Sequence, residues 1–403
     1  MRPTKHKPER KKQSSQNPIE VAVRTWFNST TLVHQPLPQQ LDELVSRAPK
    51  RWTSYEPMVL LPAGSFGAES WKKLLSALSI EQADALWTQI LAEISKKSSG
   101  RLTHLATNEG IPAALHNSND TEDPYHHDDL PENILRSPTG LRILYGDFGP
   151  ASADGAAPDF EAAFWVSTKQ NGIFQTWAPR WTMFSRGNIK EKARLLDFHK
   201  SRSSSNSAVL RDAVAVDLYA GIGYFTFSYA KLSMRVLCWE LNPWSVEGLR
   251  RGATGNGWSV RVVKDEAELA LPMKELGSGG EQIIVFLEDN RHAARRIGEL
   301  GELNILHVNC GLLPSSEASW KDSWGIATRS AGDEMWFHLH ENVGVADIEK
   351  RGKEIEEYFL DLGRKDGCGR TARVEHTELV KTFAPGVWHC VFDLHITRSS
   401  SIT

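Results

Sequence analysis

The chain reads as α/β, with a C-terminal domain on a mostly parallel sheet that ends in an antiparallel strand, preceded by a smaller α/β region. Three observations predict this. Residues 214–258 run as strand, glycine turn, helix, strand, acid and helix. Apolar strands recur at 282–287 and 304–308. Residues 375–383 and 387–396 read as an antiparallel pair around Pro385 and Gly386.

In the first stretch, Val214, Ala215 and Val216 form the apolar run expected of a buried parallel strand. The run ends at Asp217, and Gly221 and Gly223 follow. Glycines there let the backbone turn tightly and approach a ligand. Residues 224–232 fit a helix whose N-terminal amides face that ligand. Residues 235–239 form a second strand ending at Glu240, an acid placed to accept hydrogen bonds from ribose hydroxyls. Asn242 and Pro243 suit an N-cap and first turn, and Val246, Leu249 and Ala253 follow at helical spacing.

A dinucleotide site wants a third small residue in G-x-G-x-x-G. Here Thr226 holds that position, and Asp217 precedes the glycines as D-x-x-x-G-x-G. A carboxylate there would repel a pyrophosphate and welcome a cationic, phosphate-free ligand such as S-adenosylmethionine. The expected fold is therefore a class I methyltransferase-like Rossmann domain. A Rossmann-like unit with another adenosine ligand, or none, is the alternative.

Composition sets bounds. The 403 residues suffice for two or three domains, and 40% hydrophobic with 24% charged content is that of a globular protein. A net charge of −3 and pI near 6.5 give no global attraction to nucleic acid, so RNA binding would use local patches. Cys238, Cys310, Cys368 and Cys390 are scattered without C-x-x-C, which argues against a zinc site and for a reduced, cytoplasmic protein. No apolar run is long enough for a membrane span, and no signal-peptide core is present.

The expected order is a basic tail over 1–20, an accessory α/β domain over 21–150, a middle substrate-facing segment and linker over 151–205, and the catalytic domain over 206–400. The first twelve residues hold six Lys or Arg against Glu9 and read as a solvated tail; RNA contact and targeting are alternatives. A helix near 38–46, a strand over 58–61 and amphipathic helices within 70–95 are expected. Residues 104–136 read as a solvated loop, in which His126, His127, Asp128 and Asp129 lack metal-ligand spacing.

Phe164, Trp165, Trp177 and Trp181 either pack as core strands or offer stacking surfaces to a bulky base. Asn188 suits a cap for a helix carrying Lys190, Glu191 and Lys192. Lys192 then either looks toward the ligand site, where it would hold an amino-acid carboxylate, or is a surface lysine. The 201–207 stretch is a polar linker. Beyond the Rossmann core, Asp289 and Asn290 end a strand where they could read an adenine. Residues 309–316 stand where a catalytic or base-binding loop belongs. A strand over 335–343 puts His338 and His340 on one face, and 346–362 is a long helix.

Six motifs occur in order: GNIKEK at 187–192, DLYAGIGYFT at 217–226, WELNPWSVEGL at 239–249, EDN at 288–290, HVNCGLLPSS at 307–316 and HLHENV at 338–343. With RWTSYEPMVLLPAGSF at 51–66, they resemble the tRNA aminocarboxypropyltransferase family that acts second in wybutosine synthesis. That family is similar to the tRNA guanine N1-methyltransferases, which carry N-P-P where this chain has Asn309, Cys310 and Gly311. The transferases have N-L-G there, so Cys310 is a small departure.

The resemblance implies transfer of the 3-amino-3-carboxypropyl group of S-adenosylmethionine, not its methyl, to the 4-demethylwyosine base at position 37 of phenylalanine tRNA. It implies S-adenosylmethionine at Ser185 and Lys192, its ribose at Glu240 and its adenine at Asp289 and Asn290. Asp217, Tyr219, Gly221, Gly223 and Asn309 complete the expected site. No catalytic base is assigned; His307 and His338 are more often structural in such positions. The expected partner is the tRNA anticodon region, with no metal and no membrane, and a monomer is expected. An N1-methyltransferase, an RNA-binding protein with an inactive cofactor domain and a small-molecule methyltransferase are the competing readings.

Overall fold

A computed structural model describes residues 16–30, 38–98, 100–108, 140–151, 158–200 and 207–398. The basic tail, the His126–Asp129 cluster and linker residues 201–206 lie outside the described residues. Described residues before 150 form one compact unit, and those from 150 onward form a second.

The first unit contains α1 (Pro18–Ser29), α2 (Pro38–Ser46), β1 (Thr53–Tyr55), β2 (Met58–Leu61), α3 (Glu69–Ala77), α4 (Ile80–Ser95), β3 (His104–Asn108) and β4 (Leu141–Tyr145). The strands lie in chain order, and only the β2–β3 pair is parallel. Ser79 and Gln82 make a reciprocal capping box that starts α4. Buried Trp26 and Trp71 donate their indole N–H to Gln82 O and Leu44 O, which lets large aromatics lie in the core without an orphaned donor.

Two features here depart from expectation. The start of the supposed surface loop is strand β3, with Leu105, Ala106 and Thr107 buried. Its polar composition misleads because β3 pairs on both sides, so backbone pairing and its three central residues decide the structure. Helix α1 was not foreseen, although Asn17 caps it through Ile19 N and its apolar face is buried.

The second unit begins with the hairpin β5 (Val166–Gln170) and β6 (Ile173–Trp177), then α5 (Ile189–Asp197) and α6 (Ser207–Asp212). Next come β7 (Val214–Asp217), α7 (Thr226–Lys231), β8 (Arg235–Trp239), α8 (Pro243–Gly255) and β9 (Val260–Val263). They are followed by α9 (Glu266–Leu269), α10 (Met273–Leu276), β10 (Ile283–Phe286), α11 (Ala293–Gly298), β11 (Ile305–Cys310) and α12 (Trp320–Ala327). The last elements are β12 (Glu334–Gly344), α13 (Ile348–Asp366), β13 (Arg370–Ala384) and β14 (Val387–Arg398).

Strands β7 to β14 form one eight-stranded sheet in the order β13-β14-β12-β11-β7-β8-β10-β9. Pairs from β9 to β12 are parallel; β14 is antiparallel to both β12 and β13. This is the expected sheet, with β9 as an unforeseen edge strand. Alternation along the strands feeds two cores. Val214, Val216, Ile284 and Phe286 face one with Trp320 and Phe359; Ala215, Ile283 and Val285 face the other with Leu195, Phe227 and Leu249. The carboxyl ends of β7, β8, β10 and β11 therefore share one edge, where ligands of such sheets bind.

Candidate cofactor site at the carboxyl edge of the sheet

Asp217 closes β7 and is fully buried. Its Oδ2 accepts hydrogen bonds from Thr226 N at 3.0 Å and Thr226 Oγ1 at 2.8 Å; its Oδ1 accepts one from Asn309 Nδ2 at 2.9 Å. Burial raises its pKa, and these hydrogen bonds oppose the rise. The carboxylate thus ties β7 to β11 and to the first turn of α7. It also answers the Thr226 amide that the sequence reading aimed at a ligand.

Gly221 and Gly223 turn the chain with φ of +53° and +88°. A Cβ on Gly223 would stand 2.5 Å from the Phe227 ring, and one on Gly221 would stand 2.9 Å from the Tyr224 ring. Both the left-handed backbone and the close approach require glycine. Gly221 N donates to Glu240 Oε2 at 2.8 Å, while Asn242 N donates to Glu240 Oε1 at 2.8 Å. Glu240 is half-buried; desolvation raises its pKa against these amides. Leu241 N is a third backbone donor to it; a carboxylate has about four acceptor positions, so capacity remains for a hydroxyl donor. Asn242 caps α8 as expected, through Trp244 N.

At the end of β10, Asn290 Nδ2 donates to Leu218 O at 2.8 Å, and the Tyr219 hydroxyl meets Asn290 and Ser319. Burial raises the Tyr219 pKa. Asp289 accepts from Arg291 N and Nη2, both at 2.9 Å, and Arg291 holds its carboxyl below the ordinary range. Asn309 Oδ1 is buried without a hydrogen-bond partner among the described residues. An orphaned acceptor beside a glycine turn marks a place where a donor belongs.

The fourth wall comes from before the Rossmann core. Ser185 N donates to Tyr224 Oη at 3.1 Å, and Tyr224 Oη donates to Met183 O, which straps residues 183–185 to the glycine turn. Asn188 makes no cap; a 3₁₀ turn over Arg186–Asn188 leads into α5 instead. Lys192 is 2% exposed. Its ammonium donates to Gln170 Oε1 at 2.6 Å and Gln175 Oε1 at 2.8 Å, and lies 5.1 Å from the Phe184 ring centre. Gln175 Nε2 in turn reaches Gly223 O at 3.5 Å. So Lys192 is buried against the turn rather than on the surface. No acid offsets its burial, and its pKa falls to about 8.

The structure thus brings Ser185, Lys192, Asp217, Tyr219, Gly221, Gly223, Glu240, Asp289, Asn290 and Asn309 to one unit around β7, with Asp217 turned inward. Gln170, Gln175 and Tyr224 were missed by sequence reasoning. Tyr224 stood inside the glycine motif and was the one with a signal. The aromatics pack mainly on one another: Trp181 stacks on Trp244 at 5.0 Å, and Trp177 on Phe184 at 4.5 Å. His307 and His338 belong to a buried chain. His199 Nε2 meets His307 Nε2 at 2.8 Å, His307 Nδ1 meets His338 Nε2 at 2.9 Å, and His338 Nδ1 meets Asp393 Oδ1 at 2.7 Å. Arg194 bridges Asp393 and Glu191. These histidines hold elements together.

No family model matches the chain. The tRNA wybutosine-synthesizing protein 2 of Schizosaccharomyces pombe is 39% identical over 365 residues, covering 90% of this chain and 76% of the relative. The chain belongs to the tRNA wybutosine-synthesizing protein 2 family. The Saccharomyces cerevisiae member is 31% identical over 405 residues, covering 89% of this chain and 77% of its own length. Among solved structures, TYW2 of Pyrococcus horikoshii in complex with MeSAdo has a TM-score of 0.54 at 18% identity, covering 94% of this chain and 100% of that one. Trm5b of Pyrococcus abyssi has a TM-score of 0.51 at 14% identity, covering 90% and 78%. At those identities the likeness speaks to the fold, and it bears out the class I methyltransferase-like domain of this wybutosine-family chain.

Gly223→Ala is expected to disorder the turn by forcing a Cβ into Phe227 and into a left-handed backbone. The strain alone is about 1–2 kcal/mol. Calorimetry with S-adenosylmethionine should show at least tenfold weaker binding; wild-type affinity would contradict the placement of the turn.

Proposed function

We propose that this protein transfers the 3-amino-3-carboxypropyl group of S-adenosylmethionine to the 4-demethylwyosine base at position 37 of phenylalanine tRNA and releases 5′-methylthioadenosine. The observation that carries the reading is Lys192: a buried ammonium beside the glycine turn, answered by two amide oxygens and no carboxylate. Buried charges are normally paired, so this one fits an incoming carboxylate. Membership in the family supports the same donor and acceptor.

The residues present fit the donor. Lys192 and Ser185 hold its amino-acid moiety. Gly221 and Gly223 let the backbone pass close to it, while Glu240 accepts from a ribose hydroxyl with its remaining lone pair. Asp289 and Asn290 read the adenine. Tyr219 closes that side, and Asn309 Oδ1 gains the donor it lacks. Asp217 holds the turn in shape.

The donor supplies a sulfonium: a bond forms from the base to its γ-carbon, the carbon–sulfur bond breaks with its electron pair going to sulfur, and the base gives up a proton to water. Which of the three sulfonium carbons reacts depends on which lies in line with the base. Lys192 and Ser185 act on that choice by fixing the arm. The protein's main contribution is then orientation, and the buried histidine chain takes no part.

The partner is phenylalanine tRNA at its anticodon region, met by a cytoplasmic monomer that uses no metal. Among the described residues, no helix is long and apolar enough to cross a membrane, and no cluster of three metal-ligating side chains occurs. An N1-methyltransferase is the second reading; Asn309-Cys310-Gly311 in place of N-P-P disfavours it.

The test uses S-adenosylmethionine labelled separately in the methyl and carboxyl carbons, with tRNA from cells blocked at 4-demethylwyosine. Carboxyl label on the tRNA with methylthioadenosine released is expected; methyl label would establish the methyltransferase instead. Lys192 adds a pH signature. Its ammonium form binds the carboxylate, and the free protein loses that form as pH rises through about 8. Cofactor affinity should therefore fall across that range. Lys192→Met should lower affinity about tenfold and abolish Lys192's share of the pH slope. An unchanged slope in the variant would remove Lys192 from the site.

A further inference from the structure

Lys381 on β13 is a second cation at this edge, and neither the sequence motifs nor the family resemblance assign it a role. Its side chain is half-buried. The stem lies flat on Gly187, where a Cβ would come within 2.5 Å of Cδ and 2.8 Å of Nζ. Its ammonium stands 3.5 Å from Ser185 Oγ, a long contact that fills at most one of three donor positions. No carboxylate among the described residues forms an ion pair with it; the titratable groups that feel its charge are His340 and His389, and it helps hold both below the ordinary imidazole range. Burial alone lowers its pKa, as it does for Lys192.

The two lysines border the same short segment. Lys192 lies over the Phe184 and Tyr224 rings; Lys381 reaches the neighbouring Ser185, whose amide is bound to the Tyr224 hydroxyl. Each is an ammonium whose desolvation no acid offsets. An anion at Ser185 supplies what both lack. The donor carries one such group, the carboxylate of the arm that is transferred.

We propose that Lys381 is a specificity-determining residue that binds the carboxylate of the aminocarboxypropyl arm at Ser185 together with Lys192, with Gly187 left bare so that its stem can lie there. This rests on the proposed function. It goes further by assigning the terminal hairpin a part in choosing the arm over the methyl group. A carboxylate held from β13 as well as from α5 turns the γ-carbon, rather than the methyl, toward the base.

The test compares binding of S-adenosylmethionine and its decarboxylated form, which keeps the sulfonium and the amine. Wild-type protein and Lys381→Met are titrated by calorimetry. The methionine keeps an apolar stem on Gly187 and removes the charge. The expected result is about tenfold or more loss of affinity for S-adenosylmethionine in the variant, with the decarboxylated ligand bound as by wild type. Retained binding of the decarboxylated ligand also shows that the variant is folded. Equal losses for the two ligands would make Lys381 merely structural and overturn the proposal. So would unchanged cofactor binding with weaker tRNA binding and a shallower salt dependence, which would assign the ammonium to an RNA phosphate. A wild-type protein that binds neither ligand would overturn the functional reading beneath it.

Discussion

The carboxylate of Asp217 is the constraint on which the site depends. It is fully buried, and burial of an ionised group is costly unless every lone pair is answered. Thr226 supplies two donors, Asn309 a third and Tyr219 N a longer fourth at 3.4 Å. These bonds fix three things together: the end of β7, its spacing from β11, and the point where α7 starts. The glycine turn must then complete its path between Asp217 and Thr226, which is why it needs left-handed backbone at Gly221 and Gly223. The acid of the motif is in this view the keystone of the turn.

A second constraint is how charge is sorted on the face of the sheet beneath α5. The acids there are held by Arg194 and His338, and the His199–His307–His338 chain extends from Asp393. Burial pushes the Asp393 carboxyl up, but His338 and Arg194 outweigh it and hold the group at about 2. Lys192 and Lys381 are left without acids at the edge where the cofactor arm would lie. The three histidines of that chain are occupied by one another and by Asp393, and the two lysines have no acid. That division favours a site that binds and orients an anion over one that moves protons.

Much of this was legible before the structure. Asp217, Gly221, Gly223 and Glu240 sit in one continuous stretch, so local spacing was enough to place the turn and the acid after β8. Asp289 and Asn290 followed from the rule that acts at the ends of parallel strands. What stayed hidden is non-local. Gln170 and Gln175 flank a hairpin and meet Lys192 only in the fold. Lys381 stands far along the chain from Gly187, and no spacing pairs them. Strand β3 was obscured by polar residues whose backbone pairs on both sides, and α1 by its position beside a basic tail. The inward turn of Asp217 was also illegible, because a motif shows which residue is present and not which way its carboxylate points.

The role of Asp217 is best tested with Asp217→Asn, followed by urea unfolding without any ligand and by cofactor titration. An amide cannot accept from all four donors, so the account predicts that stability without ligand falls by about 1–3 kcal/mol, together with loss of cofactor binding. Unchanged stability with binding lost would contradict it, because the carboxylate would then serve the ligand directly and the turn would stand without it.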